Sequence, residues 1–370
     1  MSDLSAAIAN LSPEKKAELI ARLKAGKGAP ARRADIDFSQ NHEYRFRSDT
    51  PFDLVAEPFV AGDPDPDCVQ IEARAASLNF RDVMIALRIY PASPDVPSNM
   101  GSDYAGVVTR VGSRVTRFKP GDEVIAMNIG HVEGGRIGSN SHFARCLDIY
   151  EMCVFRKPRG LGFVEASLIP TVYLTAWLAL VHCARLERGE KVLIHTATGG
   201  VGLAAIEIAR DLGAEILATA GSADKRALLA ARGITHVGDS RTPAFAAQLR
   251  AAGQVPDVVL NTLAGELMLE SLALLGPFGR FVHIDKKDIA ADTPLPLGRL
   301  VQGLAFHFLD ISLLLRNPRQ LEGAMAALVD LFEAGRIRPI EHRRYRPHEI
   351  RQALTDLSRG THVGKLAIEY

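Results

Sequence analysis

The run Ala197-Thr198-Gly199-Gly200-Val201-Gly202 has the residue types and spacing that most directly imply chemistry in this 370-residue chain. It follows an apolar run at 191–195 (KVLIH) and precedes a helical pattern at 201–212. That strand–loop–helix context is the one in which a glycine loop holds a dinucleotide. Without Cβ atoms the backbone can turn sharply and come close to a pyrophosphate. The following helix then offers free N–H groups and the positive end of its dipole. The candidate loop residues are Gly199, Gly200, Val201 and Gly202. A tight turn holding no ligand is the alternative that the same glycines allow.

The next strand tip selects the nucleotide. A site for a ribose 2′-hydroxyl usually carries Asp or Glu about 20 residues after the loop. Here the segment is Thr219-Ala220-Gly221-Ser222-Ala223-Asp224-Lys225-Arg226. Small residues occupy the tip, Asp224 lies beyond it, and two cations follow. A 2′-phosphate suits such a tip and would be repelled by a carboxylate. The expected cofactor is therefore NADPH, with Ser222 and Lys225 near the phosphate. Solvated helix positions would account equally for the two cations.

The elements around these residues alternate. Strand-like runs at 191–195, 215–220, 257–261 and 280–284 are separated by helical patterns at 201–212, 223–232 and 265–275, the signature of a doubly wound parallel sheet. Upstream, 69–75, 105–111 and 123–127 are short strands bounded by Gly and Pro turns, which points to a compact barrel-type β domain. Residues 128–140 hold four glycines and read as a surface loop. A helix at 318–334 and a strand at 365–370 follow the alternating region. Residues 1–35 stand apart: Ser12 and Pro13 start a short helix that ends at Gly26, followed by a basic linker. The expected division is 1–35 as helix and linker, 36–159 with 313–370 as one domain, and 160–312 as the nucleotide domain.

Composition narrows the function classes. With 44 Lys+Arg against 43 Asp+Glu, the net charge of +1 argues against a general nucleic-acid binder. The four cysteines, Cys68, Cys146, Cys153 and Cys183, form no CxxC pair, which suggests free thiols in a reducing compartment. The N-terminal residues lack a signal-peptide pattern, and the apolar stretch at 171–184 is shorter than the roughly 20 residues a membrane span needs. A cytoplasmic protein is expected.

Three further segments, 78–91 (LNFRDVM…YP), 261–266 (NTLAGE) and 280–289 (RFVHIDKKDI), together with the glycine loop, 101–127 and the terminal HVGK at 362–365, resemble the medium-chain dehydrogenase/reductase superfamily. Within it the chain is most similar to the enoylreductase domains of polyketide and fatty-acid synthases. The resemblance covers about 36–370. It implies a GroES-like β-barrel-type catalytic domain beside a Rossmann nucleotide domain. Zinc members carry Gly-His-Glu where this chain has Gly101-Ser102-Asp103-Tyr104, so no thiolate or imidazole ligand stands there and no metal is expected.

The reaction implied is NADPH-dependent reduction of an α,β-unsaturated acyl thioester, with an acyl carrier protein as the expected partner. Hydride goes to Cβ and a proton to Cα. The resemblance gives Tyr90 the role of proton donor, a task that a protonated phenol can perform at neutral pH. It gives Lys286 a donating or supporting role and pairs Asp310 with it, with Lys287 an adjacent competitor. It also places Asn79 and Thr175 near the nicotinamide, Asn261 and Leu263 near its ribose, Arg241 at the 2′-phosphate and Lys365 at the phosphates. The chain departs from the family pattern at 283–285, where a Gly usually precedes the Lys. A quinone or enone reductase of the same superfamily, and an NADPH-binding protein without turnover, are the competing expectations.

Overall fold

The computed structural model describes residues 36–48, 50–90, 99–128, 131–132, 135–136 and 142–370. The helix and linker expected before residue 36, Pro91 and most of the glycine-rich stretch 128–140 lie outside the described residues. Within that stretch, β6 and β7 below form a two-residue antiparallel pair.

The first half is built from short strands. These are β1 (His42–Phe46), β2 (Leu54–Pro58), β3 (Cys68–Ser77), β4 (Asp103–Val111), β5 (Glu123–Met127), β6 (His131–Val132), β7 (Gly135–Arg136), β8 (Cys146–Tyr150) and β9 (Val154–Arg156). Helix α1 (Phe80–Ala86) follows β3, and α2 (Phe163–Ser167) and α3 (Ile169–Trp177) follow β9. Strands and helices then alternate: β10 (Lys191–Ile194), α4 (Gly200–Leu212), β11 (Glu215–Ala220), α5 (Ala223–Ala231), β12 (His236–Asp239), α6 (Ala244–Ala251), β13 (Val258–Asn261), α7 (Glu266–Leu272), β14 (Arg280–His283), α8 (Lys287–Ala290) and β15 (Ala305–Phe308). Last come α9 (Pro318–Glu333), β16 (His342–Tyr345), α10 (Ile350–Arg359) and β17 (Lys365–Glu369).

The chain divides into two compact units. Unit 1 takes 36–171, Leu314–Val329 and Glu341–Tyr370; unit 2 takes Val172–Leu313 and Asp330–Ile340. The first boundary falls later than the 159/160 junction expected from the sequence, because α2 packs on β3, β4 and β17 and so stays with unit 1.

Unit 1 is organised on a sheet of order β16-β17-β3-β4-β5-β9, with β8 also pairing with β3. All its pairs are antiparallel except β16–β17. Register shifts between Gln70 and Ile71 and between Ala73 and Ala75 break the β3–β4 ladder. Such irregularities bend a strand and let a sheet curl. The long β3 is buried along nearly all its length, as a central strand must be.

Unit 2 is a six-stranded, wholly parallel sheet of order β12-β11-β10-β13-β14-β15. Its inner strands are covered on both faces, so they read as unbroken apolar runs such as Val258-Val259-Leu260. One face packs Leu193, Leu217, Val259 and Phe281 against Phe245, Leu249, Met268 and Leu272. Strand order reverses between β10 and β13, and in open α/β sheets ligands bind beyond the carboxyl ends of the strands at that reversal.

Candidate active site

The glycine loop stands at this switch point. Gly199 caps α4 with extended backbone (φ −79°, ψ 173°), and the helix runs 13 residues from Gly200. A Cβ on Gly202 would lie 2.5 Å from the Cα of Ala197, so the helix can approach β10 this closely only because position 202 has no side chain. Thr196, just before the loop, has φ 47°, a rare conformation for a β-branched residue. Its hydroxyl lies 2.8 Å from that of Thr262, which ties the carboxyl end of β10 to that of β13.

His195 braces the loop from below. It is fully buried, with Nδ1 2.9 Å from the Thr219 hydroxyl on β11 and Nε2 2.8 Å from the Ser271 hydroxyl on α7. Burial pushes its imidazole down to about 3, so it is neutral at physiological pH.

At the tip of β11, Ser222 caps α5 and its hydroxyl accepts the Lys225 N–H. Lys225 and Arg226 are half-buried. The Arg226 guanidinium donates to the Ala220 carbonyl at 3.2 Å and pairs with Asp239 at 3.0 Å. Asp239 lies opposite Ala220 on β12 and also accepts the Arg241 backbone N–H. The exposed Arg241 therefore enters this region through its backbone. The tip of β11 itself carries no carboxylate; Asp239, on the neighbouring β12, is engaged by Arg226.

Lys286 follows β14, and its Nζ lies 2.7 Å from Asp310 Oδ2. Asp310 Oδ1 accepts from the backbone N–H of Ser312 at 3.0 Å and from its hydroxyl at 2.7 Å. Burial raises the Asp310 carboxyl, but the Lys286 ammonium and the Ser312 donors more than offset this, and it sits below the usual carboxylate range. The pair is thus an ammonium held by an ionised acid. Lys287 faces Asp285 instead, at 3.5 Å.

Asn261 is buried at the end of β13. Its Nδ2 donates to the Leu263 carbonyl at 2.7 Å and lies 2.8 Å from His283 Nδ1, while its Oδ1 accepts the Leu263 N–H at 3.3 Å. Asn261 and Leu263 are thus joined directly. Thr175 is buried in α3.

In unit 1, Asn79 precedes α1, and its backbone N–H donates to Asp82 at 2.7 Å. The Asn79 amide meets Asp103 and Lys365. Lys365 is 3% exposed, with Nζ 2.7 Å from Asp103 Oδ2 and 2.8 Å from Asn79 Oδ1. The expectation that Lys365 reaches the cofactor phosphates is therefore corrected: its ammonium is buried against a carboxylate. Gly364 sets this up. At φ 69° it allows an approach to the Glu341 carbonyl that any Cβ would block, and so turns Lys365 inward. The guanidinium of Arg81 lies 5.1 Å over the half-buried Tyr90 ring.

Sequence reasoning passed over Asp103 and His195. The signal for Asp103 was a carboxylate in an otherwise apolar strand, with a lysine in another such strand at 365. Among the described residues no three His, Cys, Asp or Glu side chains are grouped to hold a metal ion. At the position where zinc members place their ligands, Asp103 is engaged by Lys365 and Asn79, so the residues present do not fit a catalytic zinc.

A wholly parallel sheet with a glycine loop at its switch point, in a chain that also folds a curled antiparallel sheet, defines a fold of the dinucleotide-binding class. Two family models match: an alcohol dehydrogenase GroES-like domain over residues 65–177 and a zinc-binding dehydrogenase over 232–368. The structure of CurK enoyl reductase superposes with a TM-score of 0.78 at 32% identity, covering 89% of this chain and 99% of that one. Phthioceranic/hydroxyphthioceranic acid synthase of Mycobacterium tuberculosis is 38% identical over 343 residues, 91% of this chain. A highly reducing polyketide synthase of Cordyceps militaris is 37% identical over 310 residues, 82% of this chain. The chain spans only 16% and 12% of those two relatives. The chain belongs to the medium-chain dehydrogenase/reductase superfamily, close to the enoylreductase domains of polyketide synthases. That superfamily is one of oxidoreductases. Among the described residues, no helix is long and apolar enough to cross a membrane.

Proposed function

We propose that this chain is an NADPH-dependent enoyl-thioester reductase whose substrate is an α,β-unsaturated acyl group carried on an acyl carrier protein. The observation that carries the reading is the Lys286–Asp310 pair beyond the carboxyl end of β14, an oriented ammonium on the ligand-binding side of a parallel sheet. The cofactor, when bound, supplies hydride to the substrate Cβ. The groups fit it: the loop Gly199–Gly202 and the N-terminus of α4 for the pyrophosphate; Ser222, Lys225 and Arg241 for the 2′-phosphate; Asn79, Thr175, Asn261 and Leu263 for the nicotinamide half.

The chain's own residues manage the proton. As Cβ is reduced, charge develops on the thioester oxygen, and donors aimed at that oxygen lower the barrier. The Tyr90 phenol then gives its proton to Cα. Lys286 Nζ, kept charged by Asp310, stabilises the developing negative charge or donates in Tyr90's place. The Arg81 guanidinium over the Tyr90 ring holds the ring in place.

The test is loss of NADPH absorbance with crotonyl thioesters of coenzyme A, pantetheine and a carrier protein, with 1,4-benzoquinone alongside. Thioester turnover that rises on the carrier supports the reading, and Tyr90→Phe and Lys286→Ala then lower it. Turnover of the quinone alone moves the chain to the small-molecule reductases. Tight NADPH binding with no turnover of either makes it a binding protein.

A further inference from the structure

The buried carboxylate of Asp103 has no role in the proton and hydride transfers of the reaction. Asp103 is 0% exposed and its two oxygens receive three donors. Lys365 Nζ at 2.7 Å and Asn79 Nδ2 at 2.9 Å reach Oδ2; the Thr171 hydroxyl at 2.5 Å reaches Oδ1, while the Ser77 hydroxyl donates to the Ser167 carbonyl at 2.8 Å. Lys365 Nζ also donates to Asn79 Oδ1 at 2.8 Å. Lysine, aspartate and asparagine thus close a three-membered ring of hydrogen bonds.

Stability alone is a poor reason for such a ring. Withdrawing two charges from water costs several kcal/mol per ion, and a well-packed apolar pair of similar volume is often as stable. The ring does, however, remove an ambiguity. An asparagine amide can turn its oxygen and nitrogen either way round. An ammonium only donates and a carboxylate only accepts. With Lys365 on one side and Asp103 on the other, only one orientation of the Asn79 amide satisfies both. Asn79 is also the member of the ring that is partly exposed. Its ring bonds use one N–H and one lone pair and leave its second N–H to offer.

We infer that Asp103 and Lys365 are positioning residues: their buried ion pair fixes the Asn79 carboxamide so that its second N–H donates to an acceptor oxygen on the nicotinamide half of the bound dinucleotide. This rests on the function proposed above, in which Asn79 contacts the cofactor. The backbone supports the same arrangement. Asp82 holds the Asn79 N–H at 2.7 Å and the Gly101 N–H at 2.9 Å, anchoring the amide's own residue and the segment leading to Asp103.

The test uses the full chain and titrates NADPH by its fluorescence, with melting temperature measured in parallel. Lys365→Met removes the donor and the charge. Lys365→Gln keeps an amide donor without the charge. Asp103→Leu with Lys365→Met removes the whole pair and leaves no lone buried ion. The inference expects Asn79→Ala and the double variant each to weaken NADPH binding about tenfold, the worth of one well-made hydrogen bond. Combining them should weaken it no further, and Lys365→Gln should recover most of what Lys365→Met loses. Losses that multiply in the combined variant, or Gln and Met variants that bind equally weakly, overturn it. A fall in melting temperature with NADPH affinity unchanged also overturns it. If the double variant does not fold, the Gln and Met comparison decides alone. Failure of the parent chain to bind NADPH refutes the functional reading itself, and is seen before any variant is made.

Discussion

Mild acid should weaken unit 2 through one side chain. In the folded chain the His195 imidazole is pushed down to about 3 by burial, from an ordinary 6.5. A base with a depressed folded pKa binds its proton more readily when unfolded. The stability it contributes is complete above about pH 6.5 and is lost as the pH falls toward 3, at about 1.4 kcal/mol per pH unit. Over the two units from about pH 6.5 to 4.5 the loss is about 2 kcal/mol, a substantial part of the 5–15 kcal/mol typical of a folded domain. Because His195 is fully buried, solvent screening does not reduce this figure. The assay is urea unfolding followed by Trp177, the chain's single tryptophan, which lies in the same unit. His195→Gln, which does not titrate, should lose about 2 kcal/mol less than the parent between those pH values, whatever other groups contribute to both. Equal losses in parent and variant would refute the reasoning, because the imidazole would then be protonated as easily folded as unfolded.

Other outcomes follow from the same geometry. Gly202→Ala must push α4 away from Ala197; a loss of about 1–3 kcal/mol in urea unfolding is expected, with weaker NADPH binding by fluorescence titration. Lys286→Met should lower enoyl-thioester turnover by about 10²–10⁴-fold, the usual worth of a positioned proton-transfer group, with little change in NADPH affinity. Asp310→Asn should cost less, because it keeps an acceptor for Lys286 and Ser312; equal losses in the two variants would make the aspartate's charge the active element. Asp82 works in the opposite sense to His195. Burial raises it to about 6 from 3.8, so the stability it contributes is present below about pH 4 and is lost as the pH rises to 6. Asp82→Asn should abolish that dependence, worth about 2 kcal/mol between pH 4 and 7, in urea unfolding of unit 1 followed by far-UV circular dichroism.

The parallel sheet was legible in the sequence because its inner strands are buried on both faces. KVLI, EILATA and VVLN stand out as apolar runs between helical patterns. The outer strands were not. His236-Val237-Gly238-Asp239 and Ala305-Phe306-His307-Phe308 are short, half-buried edges whose polar residues break the pattern. Strand β16 and helix α10 were missed for a related reason. Arg343 and Arg344 of β16 and Arg351 of α10 break the apolar pattern, yet each is paired with an acid in the fold. The glycine loop was legible because its chemistry is local. Lys286 and Asp310 stand 24 positions apart, and only the family resemblance joined them. The ring of Asn79, Asp103 and Lys365 was not assembled from the sequence: Asp103 lies 24 positions after Asn79 and Lys365 a further 262 on, and they meet only when the sheet closes. Lys365 was consequently sent to the phosphates by its motif, when the turn at Gly364 sends it into the core.

The strand that carries Lys365 lies between β16 and β3 in the unit 1 sheet, and it is made long after β3. Asp103 and Lys365 are 262 positions apart. At roughly 5–20 residues per second, a ribosome delivers the lysine roughly 13–50 s after the aspartate. All of Val172–Leu313 is synthesised in that interval. Throughout it β3 has no β17 partner, and the carboxylate destined for the core has no counter-ion. Unit 2, by contrast, has all six of its strands once residue 308 has emerged. The order of synthesis therefore makes the nucleotide unit the first that can complete its sheet, and the unit begun first the last to close.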